Sequence, residues 1–244
     1  MLDIYILGNG AMASALAQGL YGKYQVNIVG RSKEKLINLE KQGFKTLLYK
    51  DFNPENKNII LAFKPYALKD MANILKYKAR IVISVLANIS FDDLKCIKAQ
   101  NYVRIMPNIA AKYKASATPY LIKNSHFKDE ILQILQTFGN IYELNDEKQM
   151  NAAMAISGCA PAFLALVAES IADGGVCEGL SRDLSIKLTQ GLFESFTQLL
   201  LHKHTALIKE KICSPAGVTI KGIKTLEKYA IRSAFMEALN SSSS

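Results

Sequence analysis

The chain is poor in the residues that staple or metallate a fold. Its 244 residues include four cysteines, Cys96, Cys159, Cys177 and Cys213, with no C-x-x-C pair among them. In a chain this long they build neither a disulfide framework nor a zinc site, and they fit a reducing cytoplasm. Three histidines, His126, His202 and His204, are too few to furnish a metal centre, so none is expected. His202 and His204, two apart at an expected helix end, suit surface or capping roles. No run of five or six lysines occurs, although 30 basic against 21 acidic residues give a formal net charge of +9. The lysines are dispersed, as at Lys33, Lys35, Lys41, Lys45 and Lys50. The charge therefore reads as a solvated surface receptive to anions, phosphorylated cofactors included, and no nucleic-acid partner is expected. The first residues run straight into a strand pattern, without the basic segment and apolar core of a secretory signal. The longest apolar run, Cys159 to Ala168, is about half of the roughly 20 residues that span a bilayer, which argues against a membrane role.

What is present is ordinary globular composition, 50% apolar and 21% charged, in a length that fits one large domain or two modest ones. The first half alternates short apolar runs with amphipathic stretches. Strands are expected at Ile4–Leu7, Val26–Val29, Ile59–Phe63 and Arg80–Val85, with two shorter ones near Tyr102–Met106 and Ala117–Ile122. Helices are expected at Ala11–Gly19, at Lys33–Gln42 closed by Gly43, and around Ala67–Leu75. Continuous apolar strands alternating with helices predict a parallel sheet covered on both faces. Near Asp146 the pattern becomes helical, with breaks expected at Gly158–Pro161, Gly174–Gly175 and Ser214–Gly217. Ser181 is a good N-cap for a helix from Arg182 toward Leu201. The stretch Ala162–Ala172 is apolar around nearly its whole circumference and must be covered on all sides. A helical domain of this size has few layers to do so, which implies burial against a partner subunit. The expected organisation is α/β: a Rossmann-like domain at residues 1–147, an all-α domain at 148–240, and a disordered serine tail at 241–244.

Gly8-Asn9-Gly10-Ala11-Met12-Ala13 follows the first strand and opens a helix, the setting in which G-x-G-x-x-A signifies a dinucleotide site. Gly8 permits the tight turn, Gly10 lets backbone approach the pyrophosphate, and Ala13 allows close helix–sheet packing. The helix N-terminus offers N–H donors and partial positive charge to the phosphates. At the end of the second strand, where an NAD site carries an acid, the chain reads Val29-Gly30-Arg31-Ser32. Arg31 and Ser32 suit a 2′-phosphate instead, so NADP is expected over NAD. The plainer alternative makes Arg31 a surface charge beside a loop.

These segments, with others in order along Leu7 to about Leu239, resemble the pyrroline-5-carboxylate reductase family. Ile6–Ala13 is similar to its G-x-G-x-M-A opening, and Leu61-Ala62-Phe63-Lys64-Pro65 to its A-V-K-P segment beside the cofactor. Ile83–Ser90, with Ala87, resembles its I-S-x-x-A-G-I turn, and Arg104-Ile105-Met106-Pro107-Asn108 its R-x-M-P-N element. Ser157–Phe163 is similar to S-G-S-G-P-A-Y, Ala172–Val176 with Gly179–Arg182 to A-D-A-G-V…G-L-x-R, and Ser214–Ile220 to the S-P-G-G-T-T loop. The resemblance implies an N-terminal nucleotide domain and a C-terminal helical domain that interlocks in a homodimer, often within a larger ring. It also implies a substrate site at the dimer interface. Carried over residue by residue, it assigns the cofactor to Gly8, Asn9, Gly10, Ala11, Met12, Arg31, Ser32, Ala62, Lys64, Pro65 and Ala87. The imine acid falls to Met106, Asn108, Ser214, Ala216, Gly217, Val218 and Thr219.

The implied reaction is hydride transfer from NADPH to a protonated five-membered cyclic imine bearing a carboxylate, giving proline. The 214–219 loop precedes a helical pattern and can present free N–H groups to the carboxylate; taken alone it could also be a plain capped helix start. Thr219 is the expected hydroxyl at the imine nitrogen or carboxylate and the expected catalytic residue. No His or carboxylate stands in an evident catalytic motif, so hydrogen bonding at nitrogen replaces a dedicated acid. Lys64 positions the cofactor in this reading; a plain surface lysine is the alternative. Cys159, Ala160, Ala216 and Val218 depart from the family pattern, and Ala216 is strained if its position needs φ > 0. A related imine or hydroxyacid reductase is one rival reading, although Met150–Pro161 holds no lysine of the kind hydroxyacid enzymes use. A catalytically decayed nucleotide-binding regulator is the other.

Overall fold

The computed structural model describes residues 2–243, in two compact units. One ends at Gly158 and the other begins at Cys159.

The first unit is an eight-stranded sheet. Its strands are β1 (Asp3–Leu7), β2 (Gln25–Gly30), β3 (Lys45–Leu48), β4 (Asn58–Leu61), β5 (Ala79–Ser84), β6 (Ala99–Ile105), β7 (Ser116–Ile122) and β8 (Gly139–Glu143), in the order β3-β2-β1-β4-β5-β6-β7-β8. Helices α1 (Ala11–Leu20), α2 (Lys33–Glu40), α3 (Leu68–Ile74), α4 (Phe91–Leu94) and α5 (Lys128–Leu135) connect them. Alternate residues of each strand face opposite sides, so the sheet separates two apolar cores. Ile4 and Ile6 of β1 pack with Leu16 and Leu20 of α1 and Ile131 and Ile134 of α5. Leu7 joins Leu68 and Met71 of α3 and Phe91 and Leu94 of α4 on the other side. Every residue of β4 is buried, as a strand covered on both faces requires.

The sheet departs from the all-parallel expectation at one point: β7 pairs with β6 antiparallel, and β8 follows β7 in parallel. The connection from β6 to β7 holds only the 3-10 turn Ile109–Tyr113. It is shorter than the dozen or so residues of a parallel crossover, so the chain turns back. The β7–β8 connection contains α5 and returns parallel.

A helical run follows the sheet: α6 (Met150–Met154), a π-helical turn (Ala155–Cys159) and α7 (Ala160–Cys177). Two expected breaks are therefore corrected. Gly158–Pro161 alters the helix to a π turn without ending it, and Gly174–Gly175 lies inside α7. Gly175 is there for proximity: a Cβ would collide with the Ser185 side chain of α8 (Arg182–His202). The Ser185 hydroxyl donates to the Ala172 carbonyl at 2.6 Å, binding the two helices together. Ser181 caps α8 as expected, accepting from the Leu184 N–H. His204 caps α9 (Thr205–Ile212) through Nδ1, which accepts from the Ala206 N–H at 3.3 Å.

Helices α10 (Val218–Lys228) and α11 (Ile231–Ser243) end the described chain, and all but Ser243 of them belong to the second unit. The serines expected to form a disordered tail instead extend α11 through Ser243, and Ser242 Oγ bonds back to the Ala238 carbonyl. Back-bonding of this kind lets serine remain helical. Ser244 lies outside the described residues. Among the described residues of this unit only Ala172, Ser185, Thr189 and Ile208 are buried. Leu164, Leu166, Leu188, Leu192 and Phe196 are each more than two-fifths exposed. By length and composition alone the helical run Glu147–Cys177, with mean hydropathy 1.7 over its most apolar window, meets the requirement for crossing a bilayer.

Candidate functional site

In the first unit β1, β4, β5 and β6 run parallel, so the loops leaving them share the carboxyl edge of the sheet, where ligands of such folds bind. Gly8 leaves β1 with φ +135°, and its N–H donates to the Val29 carbonyl at 2.9 Å. A Cβ at Gly8 would run into the Ala62 carbonyl and lie 2.9 Å from Phe63 N. Only glycine fits there, because the β1 and β4 loops touch backbone to backbone. Gly10 caps α1 without a side-chain hydrogen bond, and a Cβ there would meet nothing within 4 Å. Asn9 and Met12 are half-buried and Ala11 is exposed, whereas Ala13 is fully buried against the sheet. The first turn of α1 therefore opens onto free space with its N–H donors uncapped, a fit for a diphosphate.

Arg31 and Ser32 stand at the end of β2. Ser32 is the N-cap residue of α2, but its hydroxyl makes no capping bond. Arg31 is exposed and forms no ion pair among the described residues. Its charge reaches Tyr49, where it opposes the burial that pushes the Tyr49 hydroxyl up to about 12. An uncommitted guanidinium, a free hydroxyl and a helix N-terminus thus meet at one strand end. That donor set suits a phosphate monoester.

Ala62 and Pro65 are half-buried and Lys64 is exposed, capping the 3-10 turn Pro65–Ala67. Ala87 is half-buried and is followed by Asn88 at φ +57°. Asparagine tolerates this left-handed conformation where the family pattern has glycine. Next, Ser90 and Asp93 form a capping box on α4. The Asp93 carboxylate accepts from the Ser90 N–H at 2.8 Å and from its hydroxyl at 2.6 Å. The Ser90 hydroxyl and N–H, aided by the charge of Arg104, hold the Asp93 carboxyl below the usual carboxylate range.

Met106 and Asn108, expected to meet the substrate, are already committed to the fold. Met106 is 5% exposed. Asn108 Oδ1 accepts from the Ala110 N–H at 3.0 Å and its Nδ2 donates to the Ser157 carbonyl at 2.9 Å. Ser157, which the sequence reading did not single out as a site residue, returns its hydroxyl to the Met106 carbonyl at 2.9 Å. Arg104 is also buried, paired with Glu147 at 2.7 Å.

In the second unit Ser214, Pro215, Ala216 and Gly217 form a turn closed by the Gly217 N–H donating to the Ser214 carbonyl at 3.1 Å. Proline in its second position and a φ of +60° at Ala216 identify a type II turn. A Cβ on Gly217 would crowd the Ser214 hydroxyl and lie 3.1 Å from its carbonyl oxygen. Gly217 then caps α10 with no side-chain bond, which leaves N–H donors of the first turn, Val218 onward, available. Val218 is 85% exposed. Thr219 is half-buried, and its hydroxyl has no partner among the described residues. Ser214 through Thr219 are thus brought together as one anion-receptive corner. The described residues hold no group of three or more His, Cys, Asp or Glu side chains that could bind a metal ion.

Comparison with known proteins places the chain in a family. Residues 147–244 match the family described as pyrroline-5-carboxylate reductase dimerisation, and residues 3–88 match NADP oxidoreductase coenzyme F420-dependent. The dimerisation match covers the long apolar helical run and the exposed leucines of α7 and α8. A pyrroline-5-carboxylate reductase of Helicobacter pylori strain J99 is 35% identical over 98% of this chain and 96% of its own length. That of Thermus thermophilus is 30% identical over 96% and 91%. A solved 1-pyrroline-5-carboxylate reductase from Streptococcus pyogenes superposes with a TM-score of 0.89 at 26% identity, covering 99% of this chain and 96% of that one. The Plasmodium falciparum pyrroline carboxylate reductase, solved with NADP bound, gives 0.85 at 27% identity over 100% and 97%. The chain belongs to the pyrroline-5-carboxylate reductase family.

Proposed function

We propose that the chain reduces the C=N bond of 1-pyrroline-5-carboxylate to L-proline, the last step of proline synthesis, with NADPH as hydride donor. The observation that carries this reading is similarity over nearly the full length to reductases of that name, combined with an open, uncapped dinucleotide turn.

The nicotinamide supplies the hydride; the protein's task is to bind, align and exclude water. Gly8 to Met12 would hold the diphosphate on the α1 N-terminus, and Arg31 and Ser32 would hold the 2′-phosphate. Ala62, Lys64, Pro65 and Ala87, on the carboxyl edge of the sheet, would position the remainder of the cofactor. The N–H groups following Gly217 bind the substrate carboxylate, with Ser214 and Ala216 shaping the turn. Val218 offers no hydroxyl, so that load falls on backbone donors and on Thr219. Thr219 bonds the imine nitrogen, whose proton arrives with the substrate, and no separate acid is needed. The helical unit pairs with a second copy to form a homodimer, which then serves in the cytoplasm.

The test is NADPH oxidation followed by absorbance with and without the imine acid, with NADH in parallel. Substrate-dependent oxidation, faster with NADPH, is the expected result. Tight NADPH binding without turnover would overturn the assignment and favour a nucleotide-binding regulator.

A further inference from the structure

The π-helical turn Ala155–Cys159 has a cause in the sequence. Pro161 has no N–H, so the carbonyl four residues back, that of Ser157, loses the partner an α-helix would give it. The proline ring crowds the same carbonyl. Widening to a π turn relieves the crowding, and the carbonyl of Ser157, a residue buried away from water, takes a side-chain donor from outside the helix.

Asn108 supplies that donor, through Nδ2 at 2.9 Å. Its amide is held in orientation by the Ala110 N–H on Oδ1, and its backbone N–H is fixed on Ser116 Oγ at 3.0 Å. The Ser157 hydroxyl closes the arrangement on the Met106 carbonyl. The tip of β6 and the π turn are therefore locked by reciprocal bonds, on the same sheet edge as Gly8, Ala62 and Ala87. Ile156 and Gly158, flanking the buried Ser157, are exposed. Such turns recur at functional sites because they re-aim a helix surface.

We propose that Asn108 and Ser157 are a positioning pair: Asn108 acts on the imine acid by setting the π turn, without touching the substrate. The proposal rests on the reductase reading above, and it replaces substrate contact as the role of Asn108. Pro161 provides a specific test. In Asn108→Ala the Ser157 carbonyl loses its side-chain donor; in Asn108→Ala/Pro161→Ala it gains an N–H from residue 161.

Two readouts are taken on the full-length protein, kcat/KM for the imine acid with the NADPH Kd, and the unfolding equilibrium in urea. Asn108→Ala is expected to lower kcat/KM about tenfold, leave the NADPH Kd within about twofold, and weaken the unfolding equilibrium about tenfold (about 1.4 kcal/mol). The double variant is expected to recover most of both losses. Recovered stability with unrecovered kcat/KM would overturn the proposal in favour of direct substrate contact. Lost stability with unchanged kcat/KM would make the pair purely structural. Should Asn108→Ala not accumulate folded, Ser157→Ala carries the same readouts with smaller losses, and Ser157→Thr, which keeps the hydroxyl, is expected to stay near parental values. The urea cycle does not depend on turnover. A parent protein inactive on the imine acid but coupled between residues 108 and 161 would refute the reductase reading while the lock itself stands.

Discussion

Ala216 stands in the αL region, φ +60°, at the third position of the Ser214–Gly217 turn, and replacing it with glycine is expected to stabilise the protein. An L-residue held in that conformation costs about 1–2 kcal/mol through contact of its Cβ with the following carbonyl. Glycine removes the cost but loses about 0.4–1 kcal/mol through the greater freedom of its unfolded chain. The balance for Ala216→Gly is a gain of about 0.5–1 kcal/mol. Urea unfolding of parent and variant at equal protein concentration reads it as a higher midpoint with an unchanged slope. The turn keeps its Gly217 N–H bond to Ser214, and the α10 donors keep their places. KM for the imine acid should therefore stay within about twofold. An equal or lower midpoint would refute the strain argument. A tenfold change in KM would show that the alanine methyl itself contributes to the substrate corner.

Arg31→Asp should weaken NADPH much more than NADH, read as separate Kd values by fluorescence titration; equal loss for both would remove the phosphate from this strand end. Thr219→Ala should cut turnover about 10²-fold, typical of losing a hydrogen bond made at the reacting group, with cofactor affinity unchanged; collapse of NADPH binding would make Thr219 structural. Gly8→Ala should abolish NADPH binding and lower the melting temperature, because its Cβ meets only unyielding backbone of the β4 loop; a folded variant with parental Kd would refute this. The Asp93 carboxyl lies below its usual value near 3.8, so its capping contribution is complete above that pH and is lost as pH falls through the lowered value. Asp93→Asn should therefore flatten the acid limb of the stability profile, and an unchanged limb would mean other carboxylates govern it.

The apolar strands β1, β2, β4 and β5 could be read from composition because each is covered on both faces and needs no partner's pattern to be recognised. β3, K-T-L-L, and β8, G-N-I-Y-E, were missed, since edge strands carry mixed polarity and depend on a neighbour for their bonds. The reversal of β7 was encoded only in the shortness of its connection. Glycine misled in the helical half: Gly158 and Gly175 serve local geometry and close packing, not termination. The cofactor turn was legible because its chemistry lies in contiguous residues. The bond from Asn108 to the Ser157 carbonyl was not, because its two ends lie 49 residues apart in the chain.

The helical unit, with four buried residues among those described, has a kinetic consequence. Covering the outward-facing leucines of α7 and α8 by a second copy, as proposed, would add a second-order step to folding. Maturation would then require an encounter, with a half-time that falls as the concentration of new chains rises. Resistance to heat, protease and urea will then scale with the amount of protein present. It follows that a variant defective only in catalysis, expressed beside the parent, will enter mixed assemblies and lower activity by more than its own share wherever the two copies work together.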